Sequence, residues 1–125
     1  MIRIFVFSYS GDAAEAVACV RCVRMAVPYA SVTVVDDAAS PVQEDTAAAL
    51  RSIGADYVQS SWDRQGNLRG PACIRGMLSE MCREAEDDDI VVKIDCDTAL
   101  LDDGWLRWMD AHPACPMYAS GDFVA

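Results

Sequence analysis

The stretch Ile90-Val91-Val92-Lys93-Ile94-Asp95-Cys96-Asp97 decides the fold. Four β-branched apolar residues in five positions read as a strand, and the acidic turn Glu86-Asp87-Asp88-Asp89 bounds it on one side. On the other side it ends in two carboxylates. Working outward, Gly70-Pro71 opens a helix that ends near Glu84, since proline suits the first helical position. Downstream, Asp102-Asp103-Gly104 starts a helix through Met109, and Met117 to Ser120 reads as a fifth strand.

The N-terminal half repeats the alternation. Residues 2–7 form a first strand. Asp12 followed by Glu15 has the spacing of a capping box, and Ala13, Ala16, Val17, Val20, Val23 and Val27 recur at helical spacing until Pro28. Ser31-Val32-Thr33-Val34-Val35-Asp36 is a second strand. Ser40-Pro41-Val42-Gln43 reads as a helix start with Ser40 as N-cap, running to Ile53 and stopped by Gly54. Ala55 to Gln59 is a third strand, and residues 60–69 form the longest loop. The order βαβαβαβα(β) implies an α/β protein of three layers, a mostly parallel sheet with helices on both faces. No repeat or linker divides the 125 residues, so residues 1–125 are expected to form a single domain.

Composition narrows the function. Hydrophobic residues make up 53% of the chain, enough for a packed core. No apolar run approaches the ~20 residues of a membrane span, and the short apolar start lacks the marks of a signal peptide, so the expected location is the cytoplasm. The formal net charge of −10 argues against nucleic acid and anionic membranes. It also means that a bound diphosphate needs a local countercharge, which a divalent cation supplies. Six cysteines are present, with Cys19 and Cys22 in the one CxxC pair, inside a predicted helix. Without a second pair they do not suggest a zinc site, and buried thiols are expected.

Ligands of such sheets bind beyond the carboxyl ends of the strands. Ser8, Tyr9 and Ser10 follow the first strand, Asp36 and Asp37 the second, and Asp95 and Asp97 the fourth. On an extended chain, Asp95 and Asp97 point to the same side. Their carboxylates repel unless a cation lies near, and oxygen ligands suit Mg²⁺ or Mn²⁺. The alternative is two solvated acids at a strand end.

These segments, in this order, resemble the N-terminal donor-binding half of the GT-A fold glycosyltransferases, similar to the family 2 group. Val34-Val35-Asp36-Asp37-Ala38-Ala39-Ser40 resembles the family's Val-Asp-Asp-x-Ser segment. Gly66-Asn67-Leu68-Arg69-Gly70 through Arg75 resembles its Gly/Asn/Arg stretch, and Val91 to Asp97 resembles its DxD strand. The resemblance implies a Rossmann-like, truncated GT-A domain that binds a nucleoside-diphosphate sugar through Mn²⁺ or Mg²⁺ for hexosyl transfer. It places Tyr9 and Asp36 or Asp37 at the base and ribose, Asp95 at the ribose or metal, and Asp97 at the metal. Arg69 or Arg75 would meet the diphosphate, as a guanidinium fork matches phosphate geometry.

Two other α/β families fit less well. Haloacid-dehalogenase phosphatases place Asp-x-Asp near the chain start with Thr four residues after the first Asp, where this chain has Ala99. Receiver domains need an acidic pair straight after the first strand. His112, in Ala-His-Pro, reads as a helix-end residue. Nothing in residues 98–125 reads as an acceptor pocket or catalytic base. The expectations are therefore a transferase completed by more chain, by a second copy in a homodimer or by a partner, or else a nucleotide-sugar-binding module without turnover or a relic domain with no ligand.

Overall fold

The computed structural model describes residues 1–62 and 70–113. The expected strand over 117–120 and most of the expected 60–69 loop, Arg69 included, lie outside the described residues. The strands are β1 (Ile2–Ser8), β2 (Ser31–Asp36), β3 (Asp56–Gln59) and β4 (Ile90–Asp95). The α-helices are α1 (Ala13–Ala26), α2 (Glu44–Ser52), α3 (Pro71–Cys82) and α4 (Gly104–Asp110), with a 3₁₀ turn at Ser10–Asp12 leading into α1. No helix among the described residues is long and apolar enough to cross a membrane.

The four strands are all parallel, in the order β3-β2-β1-β4. Two consecutive crossovers carry the chain outward from β1 to β3. The third returns over β1 to place β4 on its other side. Right-handed crossovers that run in opposite directions put their helices on opposite faces of the sheet. Accordingly, Ala16, Cys19, Val20 and Val23 of α1, Leu50 of α2, and Trp105 and Leu106 of α4 pack with Ile4, Val6, Val32, Val34 and Ile94. Met77 and Met81 of α3 pack with Phe5, Phe7 and Val35 on the other side. The alternation of strand residues supplies both layers, as the pleat requires.

Turn chemistry explains most element ends. Gly54 takes φ +86° after α2, and its N–H bonds to the Arg51 carbonyl at 3.0 Å. Gly70 takes φ +83° just ahead of Pro71. Two helix starts differ from expectation. Asp12 sits at the N-cap of α1 but makes no side-chain cap bond. α2 begins at Glu44 rather than after Ser40. Residues 40–42 serve the strand ends instead: Ser40 Oγ meets Ser10 Oγ at 2.7 Å, and the Val42 N–H donates to Asp36 at 2.8 Å. Cys19, Cys73 and Cys96 are buried, whereas Cys22 is half-buried and Cys82 is exposed.

Near the amino ends of the strands, Asp89 clamps β1 to β4. It takes Arg3 Nε at 2.6 Å, the Met1 ammonium at 2.9 Å and the Glu86 N–H at 3.0 Å. The Glu86 N–H first, then the two cations, hold its carboxyl well below the usual carboxylate range. A depressed folded value adds stability that is complete above the unfolded value, ~3.9, and is lost as pH falls through the folded one. Asp89→Asn is therefore expected to lower the urea midpoint at pH 7 and to flatten its decline below about pH 4. A second constraint lies on α3, where a Cβ on Gly76 would stand 2.5 Å from the Trp62 indole. Gly76→Ala is expected to cost roughly 1–3 kcal/mol in urea unfolding, the scale of overpacking.

Candidate functional site

The carboxyl ends of the strands form one rim, in register: Ser8 opposite Asp36, Asp36 opposite Gln59, and Phe7 opposite Asp95. Strand order reverses between β1 and β4, so the crevice typical of such sheets opens beside Asp95. Backbone bonds tie the rim loops together. The Asp37 N–H donates to Ser8 O at 3.0 Å, the Ser10 N–H to Ser40 O at 2.8 Å, and the Ser60 N–H to Asp36 O at 2.7 Å.

The structure separates the expected site residues into two groups. Asp36 has no exposed surface. Its carboxylate accepts from Ser8 Oγ at 2.9 Å, Val42 N–H at 2.8 Å and Tyr57 Oη at 2.5 Å. Those protein donors give Asp36 a bracing role. Asp37 is also buried, with one carboxylate oxygen receiving the Ala39 N–H at 3.1 Å. Tyr9 is half-buried in extended backbone, and its ring lies on Gly11, where a Cβ would come within 2.7 Å of ring atoms.

Asp95 and Asp97 form the second group, and both are exposed. The pleat sets Asp95 on the α3 face, opposite to that of Asp36. The Asp95 side chain is 61% exposed and pairs with Lys93, its neighbour two residues back on the same face. The expected extended Asp-x-Asp geometry changes at Cys96. Residues 95–98 form a turn closed by the Thr98 N–H on Asp95 O at 2.9 Å, so Asp97 is placed by this turn and not by the pleat. Arg75 is exposed on α3. His112 ends α4 with its ring stacked on Trp108 at 4.2 Å and Nδ1 at 2.7 Å from the Trp108 carbonyl, as a helix-end residue should.

Two features escaped the sequence reading. Tyr57 looked like an ordinary strand residue, yet burial first, and then its bond to Asp36, push its hydroxyl up to about 12. Lys93, counted only as part of the fourth strand, supplies a cation beside Asp95. A groove of about 690 Å³ lies at the other end of the sheet, among Arg3, Ser31, Asp56 and Arg83. Its three arginines are already paired, Arg3 with Asp89, Arg51 with Glu44 and Arg83 with Glu80, which leaves no uncommitted arginine there for an anion.

Among the described residues, no group of three or more His, Cys, Asp or Glu side chains could hold a metal ion. Asp95 and Asp97 are hard oxygen donors, so they suit a cation that completes its shell with water and ligand oxygens.

The all-parallel sheet, its helices on both faces and the rim beside the strand reversal define a Rossmann-like α/β protein. Among solved structures it is similar to an active-site mutant of LgtC, a GT-A glycosyltransferase, with a TM-score of 0.54 and 21% identity. The match covers 86% of this chain and 41% of the LgtC chain. The chain thus has a glycosyltransferase-like fold and spans less than half the length of that neighbour. No protein-family model and no curated protein sequence matches it.

Tyr57→Phe tests the Asp36 brace. It leaves a buried carboxylate oxygen short of one donor, so unfolding is expected to cost about 1–3 kcal/mol less. Because the folded Tyr57 value is raised, its stabilisation is present below the unfolded value, ~10, and is lost as pH rises through about 12. The variant should therefore lose part of the alkaline decline, measured by urea unfolding from pH 8 to 11.

Proposed function

We propose that this chain is the donor-binding part of a glycosyltransferase, holding a nucleoside-diphosphate sugar with Mn²⁺ or Mg²⁺ at Asp95 and Asp97. The observation that carries the reading is the exposed Asp95–Thr98 turn, beside the strand reversal of a sheet shared with a GT-A glycosyltransferase. Asp97 ligates the ion, and Asp95 meets the ion or the ribose. Tyr9 and Asp37 face the base and ribose, while Arg75 and Arg69 meet the diphosphate. Asp36 acts by holding this rim in place. The cation, when bound, neutralises charge that builds on the departing nucleoside diphosphate.

Lys93 pairs with Asp95 and limits the repulsion between the two acids. The acceptor and the catalytic base come from elsewhere, either further chain, a second copy or another protein. A second reading, binding without transfer, draws on the acids after the turn. Asp102 accepts the Gly104 N–H at 2.8 Å and Asp103 the Tyr29 hydroxyl at 3.1 Å, so both serve α4 and its packing.

Calorimetric titration with UDP, GDP, ADP, CDP and TDP, with and without Mn²⁺, tests the proposal. One of these is expected to bind only with the metal. Asp97→Ala should weaken that binding at least about tenfold, or ~1.4 kcal/mol. Metal-dependent release of sugar from the corresponding sugar nucleotide supports transfer, and binding without release supports the second reading. No binding of any of the five with Mn²⁺ present would overturn both.

A further inference from the structure

We propose that Lys93 is a binding residue that exchanges partners: its ammonium, on the Asp95 carboxylate in this structure, passes to the diphosphate of the donor when Asp95 is engaged with a divalent cation. The inference rests on the donor-binding reading for the second partner and on the structure for the first. The Lys93 ammonium donates to Asp95 Oδ1. The two residues are two apart on β4 and so share the α3 face of the sheet. Lys93 stands opposite Phe5 of β1. Its side chain is 29% exposed, against 61% for Asp95. The stem therefore lies half-buried on the sheet while the charged head reaches the rim, the usual habit of a long cationic side chain. Asp97, two residues beyond Asp95, has no ion pair among the described residues. The two acids are therefore unlike. One already carries a cation from its own strand, and the other does not.

Charge decides what this asymmetry does. The Lys93 ammonium competes with any other cation for Asp95, and repels that cation if it stays close. A dication and an ammonium ~6 Å apart repel, even in water, by enough to change an affinity about tenfold. Lys93 thus weakens the hold of the turn on a bare metal ion. Toward a diphosphate its sign reverses, because the ammonium then gains acceptor oxygens that carry more charge than one carboxylate. The residue type suits the exchange. The chain has nine arginines and one lysine, and the lysine is the cation placed on this rim acid. An ammonium is a compact point charge on a flexible stem, so it changes partners without moving the strand, whereas a guanidinium fork is matched to one carboxylate. Arg3, on the same face of the sheet, is not free for the task, since Asp89 holds it near the amino ends of the strands.

The variants Lys93→Met, Lys93→Gln and Lys93→Arg test the exchange. The first readout is Mn²⁺ binding alone, followed by electron paramagnetic resonance of the free ion and counted as the site lost in Asp97→Ala. The second is calorimetric affinity for UDP, GDP, ADP, CDP and TDP in saturating Mn²⁺. With the charge removed, Lys93→Met and Lys93→Gln should bind Mn²⁺ alone about tenfold more tightly. Both should bind the tightest of the five nucleotides about tenfold more weakly, the scale of one charge-assisted hydrogen bond. Effects of opposite sign are the signature, because a merely disturbed turn would weaken both. Lys93→Arg keeps the charge and should stay within about threefold of the parent in both readouts, less than such a bond is worth. Unchanged or weaker Mn²⁺ binding in Lys93→Met, unchanged nucleotide affinity, or an arginine variant that behaves like the methionine one would overturn the proposal. Nucleotide binding that persists through such a result leaves the donor-binding reading standing. If the parent binds Mn²⁺ but no nucleotide, the donor-binding reading fails and the second partner with it, and the Mn²⁺ titration still decides whether Lys93 guards Asp95. No Mn²⁺ bound by the parent or by any of the three variants would overturn both.

Discussion

The rim of this sheet depends on one buried carboxylate. Asp36 draws a hydroxyl from β1, a hydroxyl from β3 and a backbone N–H from the approach to α2. A carboxylate without exposed surface is costly unless donors replace its water, and three converge on it here. Each donor comes from a different segment. Satisfying the charge therefore fixes the carboxyl ends of three strands relative to one another. The same demand delays α2 by about a turn, because the Val42 N–H is committed to Asp36 before the helix begins at Glu44.

With that rim held, the pleat divides the acids by face. Asp36 lies on the α1 face and Asp95 on the α3 face. The first has its charge absorbed by the protein, and the second keeps its charge in water beside Lys93. Two acids that look equivalent at strand ends thus do different work. The difference follows from register and not from the residue type.

Much of this was legible in the sequence. Strand β2 was bounded correctly at both ends, because β-branched residues run from Val32 to Val35 with a tight acidic stop. Gly54 and Gly70-Pro71 marked real element ends through backbone conformations that few other residues adopt. The parallel sheet and its helices on both faces followed from the alternation of elements, whereas the strand order became clear only in the structure. The misses share a cause. Ser40-Gln43 and Asp12-Glu15 had local capping spacings, but Ser40 meets Ser10 instead of capping α2, and Asp12 makes no cap bond. A local pattern cannot reveal a competitor that is distant in sequence. Nothing near Asp36 in the chain announced its bond from Tyr57, which comes from β3.

Electrostatics brings the argument back to the Asp95–Thr98 turn. A chain of net charge −10 that leaves Asp95 and Asp97 exposed concentrates negative potential at the crevice between β1 and β4. Lys93 offsets one of these charges on the strand itself. A bare diphosphate would be repelled from such a site, whereas a divalent cation would be drawn to it, and a diphosphate could follow as its ligand. On the donor-binding proposal, the acidic balance that disfavours nucleic acid would admit a phosphate ligand here only in company with a metal. Recognition would then fall to whatever orients the two acids, and beneath the turn that is the packing of Cys96 against α1, with the Cys19 thiol of α1 on the Asp95 carbonyl.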